Sequence, residues 1–196
     1  SFSKSTRQRI RAAHTAGTSV SETDERTQLE AFAALLHERA DVVGMQLQAG
    51  TGFVASWQRL IEAGLARLLV AEHDGELVGG LFLFRHGGIQ STAYSADRAG
   101  RRRELPGTMH LVRWTAIRDA HAEGCSAIEL GGVDLPGHRT PPQPGDPNRG
   151  LYEHKRGFGA EWLEREPPRH IVLRANAERL SLLRRRALDA LRGMRR

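Results

Sequence analysis

A single cysteine among 196 residues excludes an intrachain disulfide and any cluster of thiolate metal ligands. Cys125, set between Gly124 and the small residues Ser126 and Ala127, reads as a small buried residue entering a strand. Aromatic residues are scarce at 6%, whereas charged residues make up 27% and the mean hydropathy is -0.47. These values fit a chain with a well-solvated surface better than a disordered or membrane-embedded one. The longest apolar run, around Leu77 to Phe84, falls far short of the roughly 20 residues that a membrane-crossing helix needs. No charged-then-apolar leader opens the chain, so a cytoplasmic location is the expectation. The nine histidines never fall two to a helical turn beside a carboxylate, so no metal site is expected. His73 and Asp74 fall in a hairpin turn and read as structural. A Gly-x-Ser-x-Gly elbow and a Walker loop are also missing.

What the chain does have is positive charge. Lysine and arginine number 29 against 23 acidic residues, giving a net charge of +6 and a pI near 10.5. That balance favours anionic partners, whether RNA, phosphorylated metabolites or an acidic membrane surface, without choosing among them. The hydrophobic content of 39% supports a real core, and the length fits one domain better than two. The chain opens on Ser1 and Phe2 rather than methionine, as a piece processed or excised from something longer would.

Lys4 to Ala16 reads as a basic helix carrying Arg7, Arg9 and Arg11, stopped by Gly17. A short strand over Thr18 to Glu22 follows. Leu29, Phe32, Leu35 and Leu36 recur at helical spacing within Thr27 to Arg39, with Thr23 or Asp24 as caps. A second helix is expected near Phe53 to Ala63. From Arg67 the period shortens: Leu68 to Ala71 is a compact apolar run ended by Asp74 and Gly75, a hairpin signal. Leu77 to Arg85 and Ile89 to Ser95 complete three antiparallel neighbours around a turn at His86 to Gly88. Pro106 and Gly107 open a helix to about Glu123, with Leu111, Trp114, Ala116, Ile117 and Ala120 expected on its buried side. Trp57 and Trp162 are also expected in the core. A short buried strand is expected at Ser126 to Leu130. Asp134 to Arg149 holds Pro136, Pro141, Pro142, Pro144 and Pro147 and marks a long loop. A short helix from Leu151 to Arg156, strands near Glu161 to Arg165 and Ile171 to Arg174, and an arginine-rich helix from Glu178 to Arg196 finish the chain.

This order of elements, an α/β (α+β) arrangement with a mixed central sheet flanked by helices, is similar to the GNAT acyl-CoA N-acyltransferase fold. Three segments narrow it toward the Fem-type aminoacyl transferases that build peptidoglycan bridges. They are Lys4-Ser-Thr-Arg-Gln-Arg-Ile-Arg-Ala-Ala, Leu69-Val-Ala-Glu-His-Asp-Gly-Glu-Leu-Val-Gly-Gly and, most specific, Gly150-Leu-Tyr-Glu-His-Lys-Arg-Gly-Phe-Gly-Ala. The resemblance implies one GNAT-like domain over residues 1–174, with a basic helix at 175–196 packed on it. It also implies that a first domain of similar kind belongs with it, to which the C-terminal segment returns.

Fem-type enzymes join the ester-activated carboxyl of an aminoacyl-tRNA to an amine of a peptidoglycan precursor, nucleotide-linked or lipid-linked. Attack on the ester makes a tetrahedral oxyanion, which a fixed cation stabilises. Lys155 holds the lysine position of the family's aromatic-Lys-x-Gly-Phe-Gly signature, and the resemblance makes it that cation. His154 stands where the family has phenylalanine. Tyr94, Tyr152, His154, Arg98 and Arg156 are the implied substrate contacts, and the cluster of Arg98, Arg101, Arg102 and Arg103 suits phosphate recognition through bidentate hydrogen bonds. Bland readings stand beside these: Lys155 and Arg156 as solvated helix charges, Tyr94 as a half-buried strand aromatic, and the arginine run as surface. Where the family carries a basic residue, within Met45 to Ser56, this chain offers Gln46 and Gln48. No cofactor or metal is implied, and contact with the inner face of the membrane is compatible with the basic C-terminal helix.

Two alternatives remain open. An acetyl-CoA-dependent N-acetyltransferase shares the fold, but its pyrophosphate rests on the amides of an Arg/Gln-x-x-Gly-x-Gly/Ala turn. Here that turn reads Arg101-Arg-Arg-Glu-Leu-Pro-Gly-Thr, without the glycine pair. The second alternative is a non-catalytic module that binds RNA or membrane through arginine.

Overall fold

A computed structural model describes residues 1–43, 53–133, 140–164, 179 and 183. Contacts divide the chain into one unit over Ser1–Trp162 and another over Leu163–Arg196, and the architecture below is that of the first. Of the second, Leu163 and Glu164 are irregular and exposed, and Arg179 and Leu183 are helical and exposed. The expected strand at Ile171 to Arg174 lies outside the described residues, as does the terminal helix apart from Arg179 and Leu183. The expected strand at Glu161 to Arg165 is not formed over 161–164, which makes no ladder. Gln46 and Gln48 also lie outside the described residues.

Five strands form one sheet in the order β1-β2-β3-β4-β5. They are β1 (Ser19–Thr23), β2 (Ala66–His73), β3 (Glu76–His86), β4 (Ile89–Asp97) and β5 (Ala127–Glu129). β1 to β4 form an antiparallel meander, while β4 and β5 run parallel. The β2–β3 turn adopts positive φ at both Asp74 (51°) and Gly75 (76°). That is the geometry for which Asp-Gly is selected, because its twist matches the flanking strands.

The apolar run of β2 is buried on both faces, and its alternation splits the core. Leu68 and Val70 join Leu29, Phe32, Leu35 and Leu36 of α2 (Arg26–Val43) and Trp57 of α3 (Phe53–Glu62) in one cluster. Leu69 and Ala71 join Val112 and Ala116 of α4 (Thr108–Ala122) in another, on the opposite side of the sheet. The buried face of α4 is shifted from the expected one: Leu111, Val112, Arg113, Thr115, Ala116 and Ala120 are buried, and Trp114 and Ile117 are half-buried. Trp162 is half-buried too, its ring edge-on to Tyr152, and Cys125 is half-buried, with Sγ 3.8 Å from the Gln90 amide. Among the described residues no helix is long and apolar enough to cross a membrane.

Two features position the site. α1 (Lys4–Thr15) packs along α4. Its leading residues bind the turn after α5 (Arg149–Arg156): the Ser3 amide donates to the Gly157 carbonyl at 2.8 Å, and the Phe2 ring meets Trp114 and Phe158 edge-on. β4 and β5 pair only from Ile89 to Ser91, although β4 continues to Asp97. Their far ends therefore lack a shared ladder, and the segment after β5 is free to meet α5.

Candidate active site

Lys155 projects from α5 and is 8% exposed. Its ammonium donates to the carbonyls of Gly131 (2.7 Å) and Gly132 (2.9 Å), just past β5. The amphipathic turn of α5 and the Gly157 that ends it bring the side chain inward, so the ammonium stands at the open end of the β4–β5 pair rather than on the outer surface. Gly131 has φ of 77°, and a Cβ there would sit 3.2 Å from Thr92 Oγ1 and 3.6 Å from Lys155 Nζ. Glycine is required at this position on both counts.

One residue earlier, His154 is half-buried at the centre of a polar chain. Its Nε2 lies 3.0 Å from Nη1 of Arg113, and its Nδ1 lies 3.1 Å from Nε2 of His110. Arg113 is 6% exposed, reaches Ser95 Oγ at 3.4 Å, and leaves its Nε without a partner. Burial lowers its pKa to about 10, so it stays charged. Burial, helped by Arg113 and other neighbouring cations, holds His154 down to about 3, and burial with Arg9 and Arg113 holds His110 down to about 4. Both imidazoles are neutral near pH 7.

His110, His154 and Arg113 line a cavity of about 430 Å³ enclosed by α1, the end of α2, the 98–107 segment, the start of α4 and α5. Arg9, Arg39, Arg98, Arg101 and Arg102 line it too, against a single carboxylate, Asp97. Of the four arginines picked out by sequence, Arg103 is exposed and outside the cavity lining, and the other three are neutralised. Arg98 pairs with Glu76 (2.9 Å) and Glu38 (3.5 Å), Arg101 with Glu104 (3.0 Å) and Glu76 (3.5 Å), and Arg102 bidentately with Asp97. The Asp97 hydrogen bonds raise Arg102 above the ordinary arginine range. Arg9, Arg39 and Arg113 have no carboxylate partner among the described residues.

The remaining expected site residues are dispersed. Tyr94 packs its ring against Phe53, Trp57 and Phe82, in the cluster under α2 and α3. That is the bland reading of this residue, away from the cavity. Tyr152 lies beneath the Arg149 guanidinium (5.4 Å) and beside Trp162. Arg156 is exposed and, among the described residues, pairs only with Glu153, at 3.8 Å. Among the described residues no three His, Cys, Asp or Glu side chains gather as metal ligands.

At the mouth of the cavity, α1 closes over the N-terminus of α4. Gly107, with φ of 95°, caps α4 and lies so near Arg9 that a Cβ would stand 2.1 Å from the Arg9 carbonyl oxygen. The backbones of α1 and of the turn that opens α4 are therefore in close contact at Gly107.

The acetyltransferase (GNAT) domain family matches residues 1–156. No curated protein matches the chain. Among solved structures, FemX superposes with a TM-score of 0.69 at 18% identity over 81% of this chain, which spans only 54% of the FemX chain. An aminoglycoside acetyltransferase from an uncultured soil metagenomic sample, solved with sisomicin, gives a TM-score of 0.57 at 13% identity, covering 80% of this chain and 97% of the other. A probable acetyltransferase gives 0.58 at 10%, covering 80% and 99%. At these identities the likeness is one of fold.

Proposed function

The chain belongs to the GNAT acetyltransferase-domain family and is an acyltransferase of that type; on that premise, we propose that it moves an aminoacyl group from aminoacyl-tRNA to an amine of a peptidoglycan precursor. The observation that carries this reading is the closure of the α4 N-terminus by α1. A phosphate anion needs donors, and at Gly107 it would meet the Arg9 carbonyl instead. The missing glycine pair of the 101–108 turn works in the same direction, so the donor is an acyl ester other than acetyl-CoA.

In this reading the amine attacks the ester carbonyl and forms the C–N bond, the oxyanion of the resulting tetrahedral intermediate is stabilised by the Lys155 ammonium, and collapse breaks the C–O bond to ribose, whose released oxygen takes up the proton the amine gives up. The two glycine carbonyls fix that ammonium in place. The fold likeness to FemX supports the assignment, and this chain spans 54% of the FemX chain.

The test is transfer of a labelled amino acid from charged tRNA to a precursor peptide, with wild type and Lys155→Met compared at equal folded fraction. Wild-type transfer and at least a hundredfold loss in the variant are expected. Retained rate in the variant removes Lys155 from the mechanism. Calorimetry with acetyl-CoA is expected to show no binding. The acetyl-CoA reading has one observation in its favour: this chain spans nearly the whole length of the aminoglycoside acetyltransferase but only half of FemX. A micromolar dissociation constant for acetyl-CoA would put that reading first.

A further inference from the structure

We propose that the solvent-facing side of α1 is a docking surface for the phosphate backbone of double-helical RNA. Lys4, Arg7, Gln8, Arg11, His14 and Thr15 recur at intervals of three and four, so they form one stripe of the helix, and all six are exposed. Thr6 and Ala13, on the opposite side, are buried. Arg9 turns from the stripe toward the cavity and takes no part. No acidic residue lies on α1, and the first in the chain is Glu22. Lys4, at the first helical position, stands against the positive end of the helix dipole, where a carboxylate would be stabilising. Fold stability therefore does not account for the charge.

Surface arginines on other elements are matched by carboxylates: Arg26 by Glu30, Arg85 by Glu123, Arg118 by Asp119 and Arg156 by Glu153. Lys4, Arg7 and Arg11 have no carboxylate partner among the described residues, Arg7 donating only to the Phe2 carbonyl. An uncompensated row of cations fits a polyanion. At a rise of about 1.5 Å per residue the stripe presents a cation at intervals of about 5 Å, within reach of successive phosphates along a duplex. A helix lying on a bilayer needs exposed apolar residues beside its cations, and the one large apolar residue of α1, Ile10, is half-buried. Single strands are held by stacking on aromatic rings, and α1 has no Phe, Tyr or Trp. The choice of RNA rests on the transfer reading, in which the duplex is the stem of the aminoacyl-tRNA donor.

The experiment uses the full chain and a short unacylated RNA hairpin, with affinity measured across a salt series. Binding that weakens with salt is expected in wild type, with at least a tenfold loss at low salt in Lys4→Gln/Arg11→Gln and a salt slope smaller by about two. Arg7 is left intact because it also holds the Phe2 carbonyl. Arg26→Gln/Arg59→Gln removes the same charge from α2 and α3 and is expected to match wild type. The chain has two lysines, Lys4 and the buried Lys155, so the hairpin should also protect Lys4 of unmutated protein from an acetylating reagent. The proposal is overturned by absence of hairpin binding, by equal weakening in the two double variants, by an unprotected Lys4, by a single strand of equal length binding more tightly, or by phosphatidylserine vesicles binding more tightly through Lys4 and Arg11. Should the variant fail to fold, the protection of Lys4 still decides. Hairpin binding without aminoacyl transfer would leave this surface standing and sink the transfer reading. Transfer with an unchanged KM for charged tRNA in Lys4→Gln/Arg11→Gln would do the reverse.

Discussion

At the scale of single residues, the consequence of burying Lys155 is that its charge has two duties. Whatever it does to an oxyanion, it also donates to the carbonyls of Gly131 and Gly132, and a hydrogen bond involving a charged group is worth about 1.5–3 kcal/mol. Lys155→Ala is therefore expected to lower unfolding stability by about 2 kcal/mol in a urea titration, and an unchanged midpoint would show that those carbonyls have other partners. Gly107→Ala is expected to be worse: it combines positive φ with a Cβ placed 2.1 Å from the Arg9 carbonyl, two backbone elements that cannot yield by rotating a side chain. A loss of about 3 kcal/mol or more is expected from melting curves, and a near-neutral result would mean that α1 does not seat on α4. The legibility of the site divides along the same line. Lys155 and its glycines were readable because a short motif carries them. Arg113 was not: an arginine on an amphipathic helix reads as solvated, and only His154, 41 positions later in the chain, reveals its burial. Conversely, Arg98 and Arg101 looked like part of a phosphate site because their partners Glu38, Glu76 and Glu104 lie on α2, β3 and the adjoining loop, where no local pattern announces them.

Among elements, the start of β2 offers the clearest case of charge holding strands to a helix. Arg67 on β2 is 3% exposed and binds Glu22 on β1, Glu123 just past α4 (2.9 Å) and Asp119 on α4 (3.5 Å), while Glu123 also takes Arg85 (2.7 Å) and Gln90 (2.9 Å). Removing the buried member of such a cluster leaves its carboxylates facing one another, so Arg67→Leu is expected to cost about 3 kcal/mol. Chemical denaturation checks this, and a loss under about 1 kcal/mol would show that solvent already screens the cluster. The elements themselves were legible wherever period and punctuation agree. The hairpin at Asp74-Gly75, the strand from Ile89 and the helices flanking the sheet stand within a few residues of expectation, because alternation, helical spacing and glycine stops are local properties. The strand expected from Glu161 failed on 161–164 for the opposite reason: strand-like residues form a ladder only if a neighbouring edge is in reach, and reach is a tertiary property.

For the molecule as a whole, pH couples the cavity to stability. His110 and His154 are held at about 4 and about 3 in the folded chain, below the ordinary 6.5, so between those values the unfolded chain binds more protons than the folded one. Their contribution is fully present above pH 6.5 and is lost as pH falls toward 4, the His154 share continuing toward 3. Folding stability should decline across a window in which most carboxylates are still ionised, which separates this source from ordinary acid unfolding. The expected outcome is a melting temperature several degrees lower at pH 5 than at pH 7, with a smaller drop in His110→Leu, where one of the two groups no longer titrates. Equal drops in the two proteins would mean that the pair is hydrated and free to take protons when folded.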